Sequence, residues 1–131
     1  MSDADVILGT LERVGEICGD PVDLVYEKLF QARPDYEPLF ALDTDGGVRG
    51  NMLTTSINCI LSMVEGGEMT ALRIEAAHVH HDGFGLGYDD LDLMFEVMRD
   101  AFREILDGEW TDRHAEAWTG MLARLAAIRP A

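Results

Sequence analysis

Residues 88–108 read YDDLDLMFEVMRDAFREILDG, and the placing of apolar side chains in that stretch decides the fold class. Tyr88, Leu91, Phe95, Met98, Phe102 and Ile105 recur three or four positions apart, the period of an α-helix with one buried face. Asp89-Asp90 opens the stretch, where carboxylates meet the positive end of a helix dipole. Gly108 is expected to close it.

The same period extends outward in both directions. Downstream, Thr111 is expected to cap a last helix carrying Trp118, Met121, Leu122, Leu125 and Ile128 inward. Upstream, the three glycines within Asp82 to Gly87 mark a loop. Before it, Met69 to His80 reads as a shorter helix with Met69, Leu72, Ile74 and Ala77 facing inward. Gly66-Gly67 separates it from a long helix whose inward set is Val48, Met52, Leu53, Ile57, Ile60, Leu61 and Val64. Asp43 to Gly47 is a polar loop. Pro34 to Phe40 reads as a short, tight turn of helix after a helix carrying Val22, Val25, Tyr26, Leu29 and Phe30. Asp20 is expected to cap that helix, with Pro21 in its first turn. The first helix places Ile7, Leu11, Val14 and Cys18 on one stripe and stops at Gly19. No segment alternates as a strand would, and no linker or repeat divides the chain. The expectation is an all-α fold in a single domain, 1–131.

Bulk properties narrow the function. A chain of 131 residues with 47% apolar content suits one globular domain. Its net charge of −15 repels nucleic-acid phosphates and anionic membrane surfaces alike. No run approaches the roughly eighteen apolar residues of a membrane span, and Met1 to Asp5 lacks a basic leader, so a cytoplasmic protein is expected. Cys18 and Cys59 are expected to be buried free thiols.

The residues able to do chemistry are few. Neither cysteine sits in a glycine-rich turn of the kind that presents a nucleophile, and no catalytic motif is found. His78, His80 and His81 cluster at a helix end, but helical residues two apart face away from each other, which works against a shared metal ion. His114 is expected to be a solvated surface histidine.

A wider constellation spans four segments. Val25-Tyr26-Glu27-Lys28-Leu29-Phe30 followed by Arg33-Pro34-Asp35-Tyr36-Glu37-Pro38-Leu39-Phe40 resembles the second and third helices of bacterial globins. Arg49-Gly50-Asn51-Met52-Leu53 is similar to the start of the distal helix of that family. His78 follows Arg49 by 29 positions, the separation the family uses between its distal polar residue and its proximal histidine. Phe84 and Tyr88 match the apolar and aromatic positions that come next, and Glu109-Trp110-Thr111 with Ala117-Trp118 echoes the final helix. The chain thus resembles bacterial single-domain globins and the globin domain of flavohaemoglobins, over nearly its whole length. Arg49 departs from the histidine or glutamine more usual at its position.

The resemblance implies a globin fold around a haem, with iron on His78. It implies reversible binding of a diatomic gas (oxygen, carbon monoxide or nitric oxide), as in oxygen transport. Tyr26 would be the distal hydrogen-bond donor and Phe40 the ring that wedges the porphyrin. Leu53 and Ile74 would pack against it, and Phe84 and Tyr88 would line the proximal side. A nearby carbonyl would hold the second His78 nitrogen. Arg49 would face either the iron or a haem propionate. Some relatives carry a fused reductase and convert nitric oxide to nitrate; here such turnover would need a separate reductase. The alternative is a haem-free globin-fold sensor or interaction module. The residues by themselves favour a plain core role for Tyr26, Phe40 and His78.

Overall fold

The computed structural model describes residues 2–67, 69–83 and 85–128, with His80 described by its backbone alone. In order, these form α1 (Asp3–Cys18), α2 (Val22–Ala32), a 3-10 segment (Pro34–Phe40), α3 (Gly47–Val64), α4 (Thr70–Asp82), α5 (Tyr88–Leu106), a short 3-10 turn (Asp107–Glu109) and α6 (Asp112–Ala126). The described residues contain no strand, so the fold is all-α. No helix among them is long and apolar enough to cross a membrane.

Helices α1, α2, α5 and α6 start where a side chain supplies an acceptor for N–H groups at the helix head. The Ser2 hydroxyl accepts from Asp5 N at the head of α1, and Asp20 Oδ1 accepts from Val22 N at the head of α2. Thr111 caps α6 as expected, its hydroxyl oxygen accepting from His114 N. The Asp90 carboxylate reaches back to the Gly87 N–H at the head of α5, 2.8 Å away. Its role there is a specific hydrogen bond in addition to a favourable place in the dipole.

Helix α5 is the centre of the molecule and touches α1, α2 and α6. Phe95, Met98 and Phe102 are buried as the period requires, and Met94, Val97, Ala101 and Leu106 widen the buried face. Between α1, α5 and α6 lies the Trp118 indole, with no exposed surface. Phe102 meets it edge-on, ring centroids 5.6 Å apart. The indole N–H donates to the Thr10 hydroxyl over 3.1 Å, and that hydroxyl donates to the Val6 carbonyl over 2.8 Å. Every polar hydrogen in this buried chain therefore has an acceptor.

The other half is less enclosed. Helix α3 packs on α1, α2 and α6, whereas α4 packs chiefly against α3. That arrangement overturns part of the expected inward set. Ile74 is buried, but Val48, Met69 and Leu72 are 53%, 51% and 58% exposed. Periodicity marks an apolar stripe but not whether a neighbour covers it, and α4 has one main neighbour. Cys59 is buried as expected, while Cys18, in the last turn of α1, is exposed. The chain reversal after α5 falls on Asp107, with φ 47°, rather than on Gly108. The α3–α4 turn uses Gly66 and Gly67, both at positive φ, where a side chain would be strained. The Thr70 hydroxyl closes that turn by donating to the Ser62 hydroxyl over 2.9 Å.

Thr10→Val keeps the shape of the side chain but leaves the buried indole N–H without an acceptor. The expected loss is about 1–3 kcal/mol of stability, seen as a fall in Tm of several degrees on thermal unfolding. Trp118→Phe should then cost less in the Thr10→Val background than in the native chain. Strictly additive losses would show that the hydrogen bond contributes nothing.

Candidate functional site

Tyr26 and Phe30 stand four residues apart on α2 and so share a face. The 3-10 segment ends by bringing Phe40 against both. Ring centroids are 5.4 Å apart for Tyr26–Phe40, 5.6 Å for Phe30–Phe40 and 5.8 Å for Tyr26–Phe30. Tyr26 is only 2% exposed, and its hydroxyl has no hydrogen-bond partner. Burial raises its pKa far above the ordinary tyrosine value; the Arg49 charge pulls it back somewhat and the Asp43 charge adds to it. The phenol therefore stays protonated, a donor, at any physiological pH.

The 3-10 segment is fastened to the start of α5. The Tyr36 hydroxyl donates to the Asp90 carboxylate, and the Arg33 guanidinium lies 4.5 Å from the centre of the Tyr36 ring. Burial first, and then the bond to Asp90, push the Tyr36 pKa up to about 12. Arg33 is itself forked onto Asp35 at 3.0 and 2.8 Å. These contacts fix the path along which Phe40 arrives at Tyr26.

Arg49 lies in the first turn of α3 and is held by Asp43. Its Nε donates to Asp43 Oδ2 over 3.0 Å, and its Nη2 to the Asp43 carbonyl over 3.3 Å. The same carboxylate accepts the backbone N–H groups of Val48 and Arg49, each at 3.0 Å. Its side chain is 2% exposed against 33% for that of Arg49. Burial acts to raise the Asp43 pKa, but the two backbone donors and the guanidinium outweigh it and leave the value below the usual aspartate range.

A second cluster joins α4 to α5. The His78 imidazole stacks on the Tyr88 ring, centroids 4.0 Å apart and planes 12° from parallel. His78 Nδ1 is buried and makes no hydrogen bond, so the expected carbonyl brace is not formed on that nitrogen. His81 Nδ1 does donate to a carbonyl, that of Ala77, over 2.7 Å. Because a carbonyl only accepts, this nitrogen carries the proton and is unsuited to bind a metal. No group of three or more potential metal ligands occurs among the described residues. His114 is half-buried, stacked on Trp110 and accepting from Thr111 N through Nδ1, so it is a capping residue rather than a solvated one.

Of the residues singled out in the sequence, Tyr26, Phe40 and Arg49 fall in or beside the first cluster, and His78 and Tyr88 form the second. Leu53 and Ile74 are buried core side chains, at 3% and 4% exposure. Phe84 lies outside the described residues. Sequence reading missed two participants. The helical period marks Phe30 only as core, although its spacing of four from Tyr26 signals a shared face. Asp43 belongs by its neighbours to a polar loop; it precedes its helix by too many positions for an ordinary cap. The reversal at Gly46, φ 76°, brings it back. No family model, no curated protein and no solved structure matches the chain.

Asp43→Ala should lower the thermal midpoint at neutral pH by removing the acceptor at the head of α3. A carboxylate with a depressed folded pKa stabilises fully above its unfolded value, about 3.9, and loses that contribution as pH falls through the folded value. The gap in Tm between wild type and Asp43→Ala should therefore be constant above about pH 5 and close in more acid solution. A gap independent of pH would show that the charge of Asp43 is immaterial.

Proposed function

We propose that the chain is a haem-binding globin that reversibly binds a diatomic gas, with His78 as the proximal ligand. One observation carries the reading: the Tyr26 hydroxyl and His78 Nδ1 are both buried polar atoms without a partner. Burying such a group unpaired costs about 1–3 kcal/mol, so each calls for a partner, and a haem held between α2 and α4 would give one to both. They are also the histidine and the distal tyrosine that the globin resemblance selects, and Tyr88, which it selects as well, stacks on His78. The order of elements supports the same reading. A short 3-10 segment stands between α2 and α3 and delivers Phe40 to Tyr26, and a helix bearing His78 follows α3.

The donor set suits haem. The His78 imidazole could hold the iron, and the half-buried Tyr88 ring stacked on it restricts its rotation. Phe40 and Phe30 would pack against the macrocycle, with Leu53 and Ile74 as apolar neighbours. When bound, haem would supply iron to which a small gas can bind. Tyr26, protonated and otherwise unpartnered, would donate a hydrogen bond to a ligand that can accept one. Any multi-electron turnover would need a separate reductase.

The alternative, a haem-free sensor or interaction module, has its own observation. Helix α4 leaves Leu72 and Val79 58% and 68% exposed, more than a finished surface requires. A visible spectrum with and without added haemin separates the two readings. A Soret band supports the globin; none after reconstitution supports the module.

Two substitutions test the residue assignments. His78→Ala should abolish or grossly alter the haem spectrum, whereas His80→Ala and His81→Ala should leave it native-like; the reverse pattern refutes His78 as ligand. Tyr26→Phe should speed oxygen release about fivefold to tenfold, the value of one hydrogen bond, and barely change carbon monoxide release. Equal acceleration of both gases by stopped flow would assign Tyr26 a steric role instead.

A further inference from the structure

We propose that Asp43 is a specificity-determining residue that holds the Arg49 guanidinium back from the ligand pocket, so that the site favours neutral gases over small anions. The inference rests on the haem reading above and adds to it a residue outside the aromatic cluster. Asp43 is anchored independently of Arg49, because its two oxygens take the N–H groups of Val48 and Arg49 at the head of α3. It therefore cannot follow the guanidinium if that group moves. The guanidinium is instead tied to Asp43 twice, by Nε to the carboxylate and by Nη2 to the main-chain carbonyl. The tie also folds it against the reversal at Gly46, where a Cβ would stand 3.7 Å from Nη2.

Two consequences follow from charge. The Asp43 charge opposes that of Arg49, so a ligand near Tyr26 meets less attraction than the guanidinium alone would exert. Freed of Asp43, Arg49 would carry an uncompensated charge and several unused donors, a set that binds anions well. The side chain is long enough and, at 33% exposure, free enough at its outer edge to change rotamer without disturbing the core. Neutral ligands such as carbon monoxide gain nothing from that charge.

The test uses full-length protein reconstituted with haemin, with azide and carbon monoxide as probes. Asp43→Asn keeps one oxygen, for the Val48 N–H, and puts an NH2 in place of the oxygen that holds Arg49, so the charge and the acceptor of Arg49 are both removed. Azide affinity for the ferric form should rise roughly tenfold, the order of one charge-assisted hydrogen bond, with carbon monoxide affinity of the ferrous form unchanged. Asp43→Glu should keep the low azide affinity. Adding Arg49→Leu to Asp43→Asn should restore it. In the haem-free protein, the Arg49 Nε–H should be protected from exchange by NMR and lose that protection in Asp43→Asn. Haem uptake with unchanged azide affinity in Asp43→Asn overturns the proposal and leaves the haem reading standing. An Nε–H unprotected in the wild type also overturns it. A wild type that takes up no haemin overturns both.

Discussion

The hydrogen bond from the Trp118 indole to the Thr10 hydroxyl is the constraint on which the rest of the fold leans. Trp118 is the largest fully buried side chain, and it fills the space where α1, α5 and α6 meet. A residue of that size carries a polar N–H that cannot be left unpaired in a dry interior. Thr10 answers it from 108 positions away and donates its own O–H to the Val6 carbonyl. The bond therefore fixes the rotation of α1 against α6 as well as their distance. Apolar packing alone tolerates some sliding; a directed bond does not.

With α5 held from that side, its opposite flank receives α2 and, through Asp90, the 3-10 segment. Asp90 joins two unrelated demands, the unpaired N–H at Gly87 and the Tyr36 hydroxyl. The aromatic trio of Tyr26, Phe30 and Phe40 is thus positioned by contacts made outside it. The well-packed half of the molecule supplies rigidity, and the two buried polar atoms left without partners stand on α2, the Tyr26 hydroxyl, and on α4, His78 Nδ1. Helix α4 has one main neighbour and shows apolar side chains to solvent.

The two clusters divide the labour of the proposed site. On the His78 side, stacking against Tyr88 restricts the imidazole while leaving one nitrogen unused. On the Tyr26 side, burial keeps a donor permanently protonated. Asp43 connects this chemistry to the backbone, since the same carboxylate that starts α3 also holds Arg49. A change there would be felt in helix stability and in pocket charge together.

The sequence by itself determined the helical elements and their order, because a period of three to four with glycine and proline breaks is a local property of the chain. The resemblance to globins, not the helical period, singled out Tyr26, Phe40 and His78; the period alone marks them as inward-facing. The partners of those residues were not legible. Whether Met69 and Leu72 were covered depended on which helix lay over α4, and no local pattern encodes that. That Asp43 would pair with Arg49 depended on a reversal at Gly46 folding the loop back over the helix start. That Phe30 would join Tyr26 and Phe40 depended on where the 3-10 segment ended. His114 was a surface residue by its polar neighbours and a capping residue by its contacts with Thr111 and Trp110. Periodicity records which face of an element is apolar; only tertiary packing decides what meets that face, because contact is a property of pairs of elements and the sequence specifies each one singly.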